Sequence, residues 1–452
     1  MQQMAPAPTR QLDRRRKPRT ALVLAGGGIT GGIYQVGALR ALDDVLINRS
    51  VLDFDIYVGT SAGAFVATLL AVGIPPWAIA EAARNPSLGL QLRLFRHVFS
   101  PNLAELWDRA KKLPGRLPAM VSELAQHRGS FLLSDLAAFA SLILPSGILD
   151  SRQLGRFMGD LLKLAEVPTD FSQLDRQLYI VACELDSWQR VVFGGDTKPK
   201  VSIPDAVAAS AAIPVLFRPV TINGSNYVDG GTKGPAAIDV AIDHGATLVI
   251  VVNPLVPLDV RANRKPDHLH GLGNSIVDLG FRAITNQLAR GMVHDSLTAH
   301  VQALQSQHPD VDIVLIEPNP NDEKMFFHEI MSTSARLVVA QHGYESVLET
   351  MGSRSGSLAK VLSRHGLEAS FDLFEGKPWT VPVENVEPAE LEPRIQRTVT
   401  RPRGPRKAST PRLERAMDRL EAQFSEKPAK QRRPTGGTLG NRRPRRPGAN
   451  ST

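Results

Sequence analysis

Twice within residues 20–71 the chain runs from a short apolar stretch into a glycine-rich turn and out into a helix-patterned segment. Residues 20–25 (TALVLA) end at Gly26-Gly27-Gly28, and Val36, Leu39, Leu42 and Leu46 then recur with helical spacing over 32–46. Residues 54–58 (FDIYV) reach Gly59-Thr60-Ser61-Ala62-Gly63, and a small-residue helix is expected over Ala62 to Ala71. A strand that is apolar on both faces must be covered on both, as in parallel sheets flanked by helices. Strand, glycine turn and helix, repeated, therefore place the chain in the α/β class.

The rest of the chain extends that pattern. Residues 77–170 read as mostly helical, rich in Leu and Ala and broken by Pro114, Pro118 and Pro145. They are either helices covering the sheet or a cap over a binding site. Further strands are expected at 177–182, 190–193, 246–252 and 311–316, and helices at 203–211, 275–305 and 331–350. From about residue 380 periodicity is lost and the chain becomes proline-rich and charged, apart from an amphipathic pattern at 411–424.

Charge separates the ends from the body. Residues 1–19 carry +5 and residues 401–452 carry +11, against +8 for all 452 residues, which leaves residues 20–400 near −8. The basic balance thus belongs to the tails. Such tails are either solvated flexible ends or contacts for an anionic surface. No zinc-finger spacing, aromatic RNA-binding block or helix-turn-helix pattern accompanies them, so no specific nucleic-acid partner is expected. Cys183 is the lone cysteine, which forbids an intrachain disulfide and fits a reducing compartment. Arg14, Arg15, Arg16 and Lys17 precede an apolar run, Ala21 to Ala25, that is too short for a secretory signal. Leu136 to Leu149 is too short to span a bilayer. The expected location is cytoplasmic, with a peripheral membrane contact open to the tails.

The chemistry-bearing residues follow the two glycine turns. Gly59-Thr60-Ser61-Ala62-Gly63, set between a strand and a helix, has the context of a nucleophile elbow, where small neighbours let a crowded turn hold Ser61 above the sheet. The helix behind it offers free N–H groups, Ala62 among them, and a positive dipole end to a developing oxyanion. A tight structural turn is the competing use. Gly26-Gly27-Gly28-Ile29-Thr30-Gly31 fits a dinucleotide fingerprint in form, but no acidic residue stands at the end of the second strand. An oxyanion hole formed by Gly26, Gly27 and Gly28 explains both glycine motifs with one mechanism. No histidine sits in a motif that nominates it as a base. Asp229, in Val228-Asp229-Gly230-Gly231, is the better candidate, because the glycines let its backbone approach another loop. An ordinary turn is again the alternative.

These residues together resemble the patatin-like phospholipase family. The correspondence comprises the glycine block Gly26–Gly31, the elbow Gly59–Gly63, the block Ala209-Ser210-Ala211-Ala212-Ile213-Pro214-Val215-Leu216-Phe217, and Asp229-Gly230-Gly231. It covers roughly residues 20–350, with the helical insertion at about 77–170, and leaves out the tail at 1–19, a peripheral extension at 351–384 and a disordered tail at 385–452. The resemblance implies a three-layer α/β/α sandwich around a mostly parallel sheet. It implies a Ser–Asp dyad, Ser61 with Asp229, that cleaves phospholipid or other lipid esters without metal or organic cofactor. Gly31, Gly59, Gly63, Gly230 and Gly231 support the motifs. The family often carries Arg or Lys in the glycine block where this chain has Thr30. That departure keeps open an alternative, a catalytically impaired relative acting as a membrane-associated or scaffolding protein.

Overall fold

The computed structural model describes residues 18–84, 97–103, 105, 107–109, 111, 145–195, 200–261, 275–322, 325–326 and 336–370. Expectations for 1–17, 136–144 and 371–452, with the amphipathic stretch at 411–424, lie outside these residues. The described elements begin with β1 (Thr20–Leu24), α1 (Gly28–Val45), β2 (Ile56–Thr60), α2 (Ala62–Ala71) and α3 (Pro76–Arg84). Then come β3 (Gly147–Leu149), α4 (Arg152–Leu164), β4 (Gln177–Glu184), β5 (Gln189–Phe193) and α5 (Ile203–Ser210). There follow β6 (Val215–Phe217), β7 (Val220–Ile222), β8 (Ser225–Asp229), α6 (Ile238–Asp243) and β9 (Leu248–Val252). The last are α7 (Gly280–Gln307), β10 (Asp312–Ile316), α8 (Arg336–Ser353) and α9 (Ser355–Arg364).

Eight strands form one mixed sheet in the order β10-β9-β1-β2-β4-β8-β7, with β5 on β4. The pairs from β10 to β4 are parallel, and β4–β5, β4–β8 and β7–β8 are antiparallel. Alternation along each strand sends side chains into two cores. Leu22, Leu24, Tyr57, Ile180 and Ile250 pack with residues of α1, α2, α4, α5 and α8. Ala21, Val23, Ile56, Val58, Val249 and Val251 pack with Ile238 and Val240 of α6 and Leu297, Val301 and Leu304 of α7. The molecule is therefore a three-layer α/β/α sandwich, and each buried Val, Ile or Leu contributes roughly 1.5–3 kcal/mol.

Three differences from the sequence reading have local causes. Helix α1 begins at Gly28 rather than near residue 32, because the glycines of its first turn are packing surfaces: a side chain at Gly31 would strike the Pro254 ring. The region read as mostly helical contains β3, which pairs in parallel with β6 as a separate ribbon. Strands of three residues are too short to show a period. β8 (SNYVD) went unmarked because it lacks a regular apolar alternation.

One feature of the sheet places the site. Along one edge of β4, β2 pairs as far as Thr60 opposite Val181. At the next residue β8 takes over, with Asp229 opposite Ala182. β2 runs parallel to β4 and β8 antiparallel, so the two strands meet end to end at their C-termini. Among the described residues, no helix is long and apolar enough to cross a membrane.

Candidate active site

Ser61 is the first residue past β2 and the N-cap of α2, at φ 56° and ψ −125°. Such a backbone costs on the order of 1–3 kcal/mol in a residue with a side chain. The sharp turn needs glycine on both sides: a side chain at Gly59 would enter the backbone of Ala64, and one at Gly63 would enter the Leu24 carbonyl. The Ser61 side chain caps no N–H of α2. It lies beside the Asp229 carboxylate, which its hydroxyl helps to hold down.

Asp229 ends β8 at the strand junction on β4. Its backbone N–H donates to the Ala212 carbonyl at 2.9 Å, and its carboxylate accepts the Gly231 N–H at 2.7 Å. The Thr232 hydroxyl donates to its carbonyl at 2.8 Å. Gly230 must be glycine, because a side chain there would meet the Val181 carbonyl. Ser61 and Asp229 are each only 5% exposed. Burial pushes the Asp229 carboxyl up to about 6, against the pull of the hydrogen bonds from Ser61 and Gly231. A carboxylate in that range is ionised at neutral pH and is a far better proton acceptor than one in water.

The glycine loop after β1 lies against this pair. A methyl group at Gly26 would sit 3.4 Å from the Ser61 Cβ, and one at Gly32 would sit 3.4 Å from the Ala62 Cβ. The N-termini of α1 and α2 are thus side by side, with Ser61 at the positive end of α2. The expected donor set needs one correction. The Gly26 N–H donates to the Pro235 carbonyl at 3.1 Å, so it is not available to an oxyanion. Among the described residues, no protein acceptor takes the N–H of Gly27, Gly28 or Ala62, which open helices and have no carbonyl a turn earlier. Thr30, where the resemblance led to a cation, is buried in the first turn of α1. Among the described residues, no group of three or more His, Cys, Asp or Glu side chains is arranged to hold a metal ion.

One residue stands in the site that the sequence reading quoted without a role. Ser210, the last residue of α5, accepts the Ser61 N–H at 2.8 Å and donates to the Val181 carbonyl at 2.6 Å. The signal was a lone hydroxyl in the alanine run 208–212.

The sequence profile of the patatin-like phospholipase family matches residues 22–242. A probable lipid hydrolase of Invertebrate iridescent virus 6 is 23% identical over 229 residues, 49% of this chain and 63% of the viral protein. An uncharacterised protein, YjjU, of Escherichia coli (strain K12) is 24% identical over 235 residues, 52% of this chain and 51% of its own. The chain therefore spans less than two thirds of the length of both these relatives. Among solved structures, VipD from Legionella pneumophila aligns over 75% of this chain and 67% of its own, at 17% identity and a TM-score of 0.34.

Proposed function

From the premise that residues 22–242 are a patatin-like phospholipase domain, we propose that the protein is a serine acyl hydrolase that cleaves carboxylic esters of phospholipids or related lipids. The observation that carries the reading is the pairing of Ser61, on a strained elbow, with a buried Asp229 beside it. Asp229 takes the Ser61 proton as the oxygen attacks the ester carbonyl. The N–H groups of Gly27, Gly28 and Ala62 hold the developing oxyanion, aided by two helix ends. Collapse breaks the ester C–O bond, and the leaving alcohol takes the proton from Asp229. Water, deprotonated by Asp229, then attacks the acyl-enzyme, releases the carboxylic acid and restores Ser61. These donors are backbone groups, which Thr30 does not remove.

A surface feature supports a lipid substrate. Helix α7 has 28 residues, about 42 Å, whereas β9 beside it has five, about 17 Å. None of its first ten residues is buried. This overhang leaves the end of the sheet where β1 and β2 open, and it exposes Phe281 (83%), Leu288 (61%) and Met292 (66%). Exposed apolar area of this kind marks a contact with protein or lipid. In this reading it rests on a lipid surface, and the basic tails hold the protein near anionic membrane.

Fatty-acid release tests the proposal. The full chain should release acid from phospholipid vesicles and, more slowly, from a soluble short-chain ester, and Ser61→Ala should abolish both. Well-folded protein that releases nothing from either would instead support the impaired, scaffolding reading. Release that survives Ser61→Ala would remove Ser61 from the mechanism.

A further inference from the structure

We infer that Ser210 is a positioning residue: its hydroxyl fixes the Ser61 backbone so that the Ser61 oxygen lies against Asp229. The inference rests on the dyad reading and deepens it.

The reason lies in the strand junction. The β2–β4 ladder ends with Thr60 opposite Val181. The next rung is not made directly, because the Ser210 hydroxyl stands between the Ser61 N–H and the Val181 carbonyl. A buried N–H and a buried carbonyl are left at the point where two strand ends meet, and each would be costly unpaired. One hydroxyl satisfies both, because it can accept and donate at once. Ser210 does so at 2.8 and 2.6 Å and is fully buried. It thereby ties the strained residue of the elbow to the central strand.

The same short segment holds the other half of the pair. Two residues beyond Ser210, the Ala212 carbonyl accepts the Asp229 N–H at 2.9 Å. Residues 210–212 are thus hydrogen-bonded to the backbones of both Ser61 and Asp229, and the spacing between the two is set from a third element. That element is itself well anchored. The Ser202 side chain caps the start of α5, where Pro204 lies in the first turn. Residues 208, 209, 211 and 212 are all alanine, so α5 and the turn after it can approach β4 and the elbow closely.

The consequence reaches chemistry through Asp229. The Ser61 hydroxyl is one of two groups that hold the Asp229 carboxyl down against burial. If Ser61 drifts, that influence weakens and the carboxyl rises further. Loss of the Ser210 hydroxyl should therefore slow turnover and move the acid limb of the rate profile to higher pH. A serine that merely filled space or steadied α5 would lower stability without moving that limb.

The test compares Ser210→Ala, Ser210→Cys, Ser151→Ala and Ser61→Ala in the full chain, using a soluble ester across pH 4 to 9. Ser210→Ala should lower kcat about 10- to 100-fold, as a misplaced reacting group does, with KM changed less than about twofold. Its acid limb should shift upward. Ser151→Ala removes a buried hydroxyl at the start of α4 that donates to the Ala208 carbonyl of α5 at 3.0 Å, and serves as the control; it should lower the melting temperature and leave kcat and the limb alone. Should Ser210→Ala not fold, Ser210→Cys carries the test, since the thiol fits the space but is a weak hydrogen-bonding group. Its limb should shift in the same direction by less. Wild-type kcat and an unmoved limb in the Ser210 variant that folds would overturn the inference. So would a loss that Ser151→Ala reproduces. Activity that survives Ser61→Ala would overturn the dyad reading instead.

Discussion

The two strand–turn–helix units at the site share one plan and use it in opposite ways. β1 and β2 are parallel neighbours, and each ends at a helix N-terminus, α1 or α2. In the first unit the N-cap is Gly27 and the next residue, Gly28, has φ 61°; with no side chains present, the turn offers only backbone N–H groups. In the second the N-cap is Ser61, whose left-handed backbone carries a side chain and aims its hydroxyl at Asp229. On the proposed reading, the same turn becomes a donor cradle when it is bare and a nucleophile mount when one side chain is retained at a cost in strain. That cost is offset by ties that the first unit does not need, chiefly the hydroxyl of Ser210.

If the first turn is a cradle because it is bare, adding a single methyl group should damage it. At Gly27 that methyl would lie 2.5 Å from the Pro254 Cγ, so the loop must shift. Gly27→Ala should lower kcat on the order of 10²–10³-fold, the usual cost of losing an oxyanion donor, and change KM little. Steady-state kinetics on a soluble ester decides this. An unchanged kcat would mean that the oxyanion is held elsewhere.

The second turn should show the converse, stability given up for reactivity. The folded-state carboxyl of Asp229 lies near 6, above its unfolded value near 4. Its contribution is intact below pH 4, where both states are protonated. It is lost as pH rises from 4 through 6, because the unfolded chain releases the proton first. Above that window the penalty is about 3 kcal/mol, or roughly 10²-fold in the unfolding constant. Asp229→Asn should therefore gain stability over the wild type as pH rises from 4 to 7.5, and little at pH 4. Denaturant titrations at the two pH values measure it, and a difference that does not change with pH would refute the buried, raised carboxyl.

The same comparison explains what could be read in advance. Ser61 and the glycines around it are legible because an elbow is specified by residues adjacent in sequence. Asp229 is legible for a similar reason, through the two glycines that follow it. The sequence does not reveal that the Gly26 N–H is taken, because its acceptor, Pro235, is more than 200 residues away and nothing local announces it. The role of Ser210 was hidden for a deeper reason. It exists only where β2 and β8 meet end to end on β4, and β8, with polar residues at Ser225, Asn226 and Asp229, gives no periodic signal. Local rules nominate the candidate reacting groups, and only the sheet register shows what stands between them.

The central claim is that Ser61 is an activated nucleophile with Asp229 as its base. Covalent labelling of the full chain by a fluorophosphonate probe tests it most directly, because the probe needs an activated serine and no knowledge of the lipid. The wild type should label at Ser61, Ser61→Ala should not label, and Asp229→Asn should label far more slowly while remaining folded. Labelling that persists in Ser61→Ala, or that proceeds at the wild-type rate in Asp229→Asn, would contradict the account.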